Sequence, residues 1–511
     1  MRKTKWLSMG LAVMLFTTVF AGCSSDDANG SKEDKQTPAQ TGGQKPAAVT
    51  LKITLPGDRP AAFDKVITEA EKRMADSLNV KLNVTFIPWS DLKQKTQIML
   101  SAGDDLDLVF DAPWNTMNEM IAADNYAPLD DLLKQYGPNI LKNLPPELMD
   151  ANKFNGKIMG IPLNNKFKDP GATYVVRKDI REKLGVAPIK SYDELTKFLA
   201  TVKEKMPDIV PYVTALPTGN MTIVPYSFRD VKDAPISTQA LSQSLVLYHV
   251  GNDSKVYNLF DQMDPKVWDR IKETRKMYQD KIIHPDIMAV KGPDEFKKGK
   301  VAVIANNGFS VPGDFDAALK SVPGAQLEAI TFFQSSDKQV SEFAAFNFIS
   351  IPTRSKNKER AIQFLNWANE PANYDLLAYG IQGTHWEPAG ENQYKVLGDG
   401  NAYTWFPYAW IWNPVTDRIK AGISEEEMAV EKYTRDSSNF TKSVLAGFKF
   451  DATPVANEIT QYNSIEAKYY GPIMNGVVDP DEYWTKFKKE AESYVKKVQI
   501  ELEKQISAFK K

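Results

Sequence analysis

The feature that most narrows the fold is a regular alternation beginning at Leu51. Leu51-Lys52-Ile53-Thr54-Leu55 alternates apolar and polar residues as a strand does, and Pro56-Gly57 ends it. Phe63, Val66, Ile67, Ala70, Met74 and Leu78 then recur at helical spacing. Residues 81–87 read as a second strand with Leu82, Val84 and Phe86 on one face. Residues 91–102 read as a helix stopped by Gly103, and residues 106–110 as a third strand. Strand, helix, strand, helix, strand implies a parallel sheet with right-handed crossovers.

That topology points to a site. In open α/β sheets, ligands bind outside the carboxyl ends of the strands. Three loops therefore share a rim, at residues 56–60, 88–90 and 111–115, and they offer Asp58, Arg59, Trp89, Asp111, Trp114 and Asn115. None carries the glycine pattern of a phosphate cradle, which argues against a nucleotide.

The N-terminus sets the address. Arg2, Lys3 and Lys5 precede an uncharged, mostly apolar run over 6–20, followed by Ala21-Gly22 and Cys23. The run falls short of the ~20 apolar residues of a comfortable membrane span. Its arrangement is that of a secretory signal peptide. Val19-Phe20-Ala21-Gly22-Cys23 resembles the lipobox of bacterial lipoproteins, with Phe20 where Leu is commoner. The resemblance implies removal of residues 1–22 and acylation of Cys23 with palmitate-type chains. It also implies a place on the outer face of the cell membrane, as in Gram-positive bacteria. More than one acyl chain is needed for stable anchoring. Residues 23–50 then form a lipid-anchored tether. From Ser24 to Ala48 it is rich in Ser, Asp, Gly, Gln, Lys and Pro and has no aromatic or large aliphatic residue.

Composition removes several alternatives. Cys23 is the one cysteine of the 511 residues, so no intrachain disulfide is available and stability must come from packed cores. The net charge of −2 gives no bulk attraction to nucleic acid. No second apolar run is long enough to cross a bilayer.

Further along, Gly160-Ile161-Pro162-Leu163, residues 172–179, residues 299–305 and residues 344–351 read as strands. Ser191 to Glu194 forms a capping box for a helix carrying Leu195, Phe198, Leu199 and Val202. Residues 264–281 and 356–369 read as helices.

The order of these elements resembles the extracellular solute-binding proteins of bacterial ABC importers, family 1. Val175-Val176-Arg177-Lys178-Asp179 is similar to that family's strand crossing between lobes. Phe296-Lys297-Lys298-Gly299-Lys300-Val301-Ala302 is similar to its helix-to-strand junction, and residues 361–369 to its A-x-x-F-L helix. Tyr379-Gly380-Ile381-Gln382-Gly383-Thr384-His385-Trp386 resembles a signature of the LipO-like (LplA-like) lipoproteins. Phe450-Asp451 with Pro454-Val455, Tyr469, Gly476, Asp479-Pro480 and Glu503-Lys504-Gln505 resemble that subgroup's C-terminal segment. The resemblance implies a two-lobed α/β fold of the periplasmic-binding-protein type II. One lobe is expected at 51–172 plus about 333–371, the other at about 173–332 plus 372–511. It implies a monomer that captures an oligosaccharide by lobe closure and delivers it to ABC permease subunits; the residues themselves give no expectation of a cofactor, a metal or a catalytic site.

A sugar presents C–H groups on a ring face and hydroxyls around its edge. Indoles suit the first, and Asp, Asn and Arg suit the second. Trp386 beside Gly383, and Trp405 in an aromatic-rich stretch with Trp410 and Trp412, join Trp89 and Trp114 as candidates. For each indole a packing role carries equal weight. Asn164 and Asn307 follow strands and serve either as ligand contacts or as turn formers.

Catalytic readings fare worse. Glu425-Glu426-Glu427 follows Ser424 as a capping box, and Asp104-Asp105 and Asp130-Asp131 read as exposed pairs. His249, His284 and His385 are scattered, Gly-x-Ser-x-Gly is absent, and no twelve-residue stretch matches a calcium loop. An oligopeptide receptor and, further off, an exported glycoside hydrolase are the rival functions. The hydrolase would need two carboxyls across a cleft.

Overall fold

The computed structural model describes residues 45–168, 172–218, 222–228, 234–238, 240–241, 244–307, 322–332, 339–403 and 409–510. Strand β1 (Val49–Pro56), helix α1 (Phe63–Arg73), strand β2 (Val80–Ile87), helix α2 (Leu92–Ala102) and strand β3 (Leu108–Asp111) follow the sequence reading closely. β1 lies between β2 and β3, parallel to both. Burial on both faces explains its composition: Leu51, Ile53 and Leu55 are buried, and so are Thr54 and Pro56. Gly103 closes α2 at φ 75°, a left-handed conformation that favours glycine.

Two further strands complete this sheet. Phe348–Ser350 runs antiparallel to β3, and Ile161–Pro162 runs antiparallel to Phe348–Ser350. The start of Phe348–Ser350 and the end of Ile161–Pro162 therefore lie at the same edge as the carboxyl ends of β1, β2 and β3.

A second sheet orders Leu327–Ile330, Ala172–Arg177, Val301–Asn307 and Val210–Thr214. Ala172–Arg177 is antiparallel to both neighbours, whereas Val301–Asn307 and Val210–Thr214 are parallel. The strand expected over 172–179 stops at Arg177, because Lys178 opens a helix, Lys178–Lys183. Arg177 grips Asp179 in that first turn with two hydrogen bonds of 2.8 and 2.7 Å. The strand expected over 344–351 is confined to Phe348–Ser350.

Capping follows the sequence in part. At Tyr192–Lys205 the Ser191 hydroxyl accepts from Glu194 N, but the Glu194 carboxylate accepts from Lys190 N and not from Ser191. At Glu425–Thr434 the Ser424–Glu427 box is complete in both directions.

Each sheet has its own apolar core. Leu51, Phe63, Phe110, Ile349, Phe364 and Leu365 belong to the first, and Val175, Phe198, Tyr212, Ile271, Phe296 and Val303 to the second. The helices Ala456–Met474 and Pro480–Phe509 extend the second core with Tyr462, Tyr470, Trp484, Phe487 and Val498. The tail departs from the expected division at 371. Tyr374, Leu377, Tyr379, Trp386, Tyr403, Trp410 and Phe440 pack in the first core. Their rings cap its helical layer, with Trp410 centred 6.2 Å from Phe63 and 6.1 Å from Phe364. Burial of large rings, roughly 1.5–3 kcal/mol each, fixes that placement.

No helix among the described residues is long and apolar enough to cross a membrane.

Candidate functional site

The shared edge of the first sheet carries two half-exposed indoles. Trp89 follows β2 and Trp114 follows β3, 45% and 46% exposed. Their ring centroids lie 6.3 Å apart with the planes inclined at 38°. Both rest on Phe110 of β3, at 6.2 and 6.3 Å. Large apolar surfaces so exposed at a strand edge are features that call for a ligand.

Trp114 is fixed from across the sheet. Its indole N–H donates to Asn347 Oδ1 at 3.2 Å. Asn347 stands immediately before Phe348–Ser350, and its carbonyl accepts from Leu163 N at 3.0 Å. Asn164 follows at the same edge and donates to Ala344 O at 3.2 Å. Phe346, beside Asn347 in sequence, is 54% exposed. Asn347 and Phe346 were not among the sequence candidates.

Asp111 has a different place from the one expected. It is fully buried, and five donors fill its carboxylate. Oδ1 accepts from Ala112 N, Asn115 Nδ2 and Thr116 N, at 2.8, 2.9 and 3.1 Å. Oδ2 accepts from Thr116 Oγ1 and Tyr126 Oη, both at 2.7 Å. Burial, reinforced by this carboxylate, pushes the Tyr126 phenol well above its ordinary pKa. Asp111 and the buried Asn115 thus lock the turn that presents Trp114, in place of the ligand contact the sequence suggested.

Other candidates are likewise engaged in packing. Arg59 donates to Val84 O at 2.9 Å, pairs with Asp64 and stacks over Phe63 and Phe86, against the edge strand β2. Asp58 is exposed beside it. Trp386 is 2% exposed and donates to Gly380 O at 2.9 Å, so it is a core residue and not a ligand platform. The motif around it folds on itself. Gly380 has φ 86°, a Cβ there would meet His385 Nδ1 at 2.4 Å, and that nitrogen accepts from Ile381 N. Asn307 ends the strand Val301–Asn307, paired in register with Ala172. Trp405 and Cys23 lie outside the described residues.

A buried charge network holds the segment that carries Asn164. Asn165 donates to Asp417 Oδ2 at 2.7 Å, and Lys166 pairs with Glu431 at 2.7 Å. Arg435 bridges Asp417 and Glu431, each at 3.0 Å, with every partner no more than 11% exposed. Tyr374 and Tyr379 donate to Asp417 Oδ1. Burial alone would raise Glu431, but Lys166 and Arg435 more than offset it and hold the carboxyl below its ordinary value. Each charge is paired and hydrogen-bonded, as buried ions must be.

No cluster of metal-ligating side chains occurs among the described residues.

Residues 65–384 match the family model described as bacterial extracellular solute-binding protein. Residues 444–511 match a second model, described as a domain of unknown function. A carbohydrate ABC transporter substrate-binding protein of Streptococcus pneumoniae serotype 4 (strain ATCC BAA-334 / TIGR4) is 26% identical over 520 residues, 99% of this chain and 98% of the relative. Among solved structures, the N-glycan transport solute-binding protein of S. pneumoniae is 23% identical, with TM-score 0.73 over 90% of this chain and 99% of that one. The same protein in complex with Man5GlcNAc gives a TM-score of 0.68 at 24% identity, over 90% and 98%. An alginate-binding protein without calcium gives 0.62 at 17% identity, over 90% and 98%. At these identities the structural likeness speaks for the fold alone.

Proposed function

Because this chain belongs to the bacterial extracellular solute-binding protein family and has its two-lobed α/β fold, we propose that it is the substrate-binding subunit of an ABC importer for an oligosaccharide. The observation that carries this reading is the pair of half-exposed indoles, 6.3 Å apart, at the strand edge. Together they offer an apolar surface longer than one ring, suited to the C–H faces of consecutive sugar units. Asn347 accepts from Trp114 through Oδ1, and its Nδ2 has no hydrogen bond among the described residues. That amide is placed to donate to a hydroxyl at the ring edge. Relatives named for N-glycan transport and carbohydrate transport support the same class of cargo.

Capture follows from differential affinity. A ligand that touches both lobes binds the closed arrangement better than the open one, so it shifts the population toward closure. The cargo leaves unaltered to a membrane permease. Cys23 carries the lipid anchor, and the tether from Ser24 to about Ala48 gives the folded part its reach.

A calorimetric screen of oligosaccharides against oligopeptides, with the bound ligand recovered and weighed by mass spectrometry, tests this reading. Saturable binding of an intact oligosaccharide is expected. Preference for peptides, or recovery of cleaved sugar, would favour the receptor or hydrolase alternatives and overturn it.

A further inference from the structure

Asn347, which holds the Trp114 indole, ends a short run with an unusual backbone. Phe343 has φ 52°, a conformation that costs free energy for a bulky residue and persists only where the surroundings impose it. Here they do. The Phe343 N–H donates to Ser341 Oγ at 3.0 Å, and its carbonyl accepts from Asn152 Nδ2 at 2.8 Å. The same buried Asn152 accepts from Ala345 N through Oδ1 at 2.7 Å. Ala344 O accepts from Asn164 Nδ2, and Asn347 O from Leu163 N. From Phe343 to Asn347 the chain is thus pinned through the backbone of every residue but Phe346.

What this pinning presents is a ring. Phe343 and Phe348 on either side are buried, whereas Phe346 is 54% exposed, belongs to no apolar core and has no ring contact among the described residues. A single apolar residue on a surface needs no explanation. This one stands beside the residue that fixes Trp114, on a backbone held against its own preference. From β2 through β1 and β3 to Phe348–Ser350 the sheet edge spans three strand intervals, roughly 14 Å. Trp89, Trp114 and Phe346 follow one another along it, over a length greater than two joined sugar rings.

With the sugar cargo argued above as its premise, we propose that Phe346 is a third platform of the strand-edge site and that the cargo is a chain of at least three sugar units laid across the strand ends. The two indoles lean together, with 6.3 Å between centroids, and carry consecutive units. Phe346 meets the C–H face of a further unit beyond Asn347. The strained backbone at Phe343 then has a use, because a ring placed before binding loses little freedom when the sugar arrives.

The test titrates the full chain calorimetrically with size ladders of malto-, cello- and manno-oligosaccharides, from disaccharide to hexasaccharide. In the ladder that binds, affinity should rise from disaccharide to trisaccharide. Phe346→Ala should remove that gain, weakening trisaccharide binding roughly tenfold and disaccharide binding by no more than about twofold. Phe346→Trp should keep the gain. Both variants should unfold at the wild-type urea midpoint, since the side chain packs in no core. A trisaccharide bound no tighter than a disaccharide, an equal loss for both in Phe346→Ala, or no binding by any ladder would overturn the proposal. The first two results leave the indole pair and a sugar cargo standing. The third, together with binding of oligopeptides, removes that cargo as well.

Discussion

Trp114 is held by three independent constraints: Phe110 beneath it, Asn347 on its N–H and the Asp111-locked turn behind it. A residue so fixed binds with little loss of side-chain freedom, which is what makes an aromatic anchor effective. Trp114→Ala should weaken oligosaccharide binding about 30- to 100-fold, corresponding to roughly 2–3 kcal/mol. Calorimetry on the variant checks it, and an unchanged affinity would remove the indole from the site. Asp111→Asn places an amide among donors and should lower unfolding stability by about 2–3 kcal/mol, read from the urea midpoint. The roles of these two residues were not equally legible. Trp114 could be placed from the strand end alone, because the topology determines which loops share the edge. Asp111 looked like a ligand contact by the same rule, yet its donors, Asn115 and Thr116, stand four and five residues downstream. Asn347 lay beyond reach, since its partner is 233 residues away in sequence.

At the scale of elements, the segment that presents Asn164 depends on charges buried beside it. Glu431→Gln would leave Lys166 and Arg435 facing a neutral partner in a dry setting. Loss of about 3–5 kcal/mol of stability is expected. The pH dependence has a definite sign. Because the folded protein holds Glu431 below its ordinary value, its contribution is complete above about pH 4.3, the unfolded value. It fades as the pH falls through the lower folded value. Urea midpoints of wild type and Glu431→Gln should therefore converge in acid and stay apart at neutral pH. A constant gap would mean that the carboxylate is not what matters. None of this network was legible in the chain, because Lys166 and Glu431 stand 265 residues apart in sequence. The strands β1 to β3 were legible, because alternation and turn residues are local. The capping boxes were legible for the same reason, although at Tyr192–Lys205 the glutamate caps one residue earlier than the motif implies.

At the scale of the whole molecule, two sheets with separate cores and an aromatic-rich tail folded onto the first give each half its own rigidity. Tyr374 to Phe440 join the first core where the second was expected, because composition does not reveal which of two apolar cores an aromatic segment joins. The proposed tether belongs to this scale too. Cys23→Ser should release the protein from the membrane fraction into the medium, whereas retention on the membrane would refute the lipid anchor. The most direct measurement is a crystal structure of the chain with an oligosaccharide from the calorimetric screen. The account predicts an intact sugar between the lobes, one ring face lying on Trp89 and Trp114 and a hydroxyl within hydrogen-bond reach of Asn347. A sugar bound elsewhere, with both indoles still open to solvent, would contradict it.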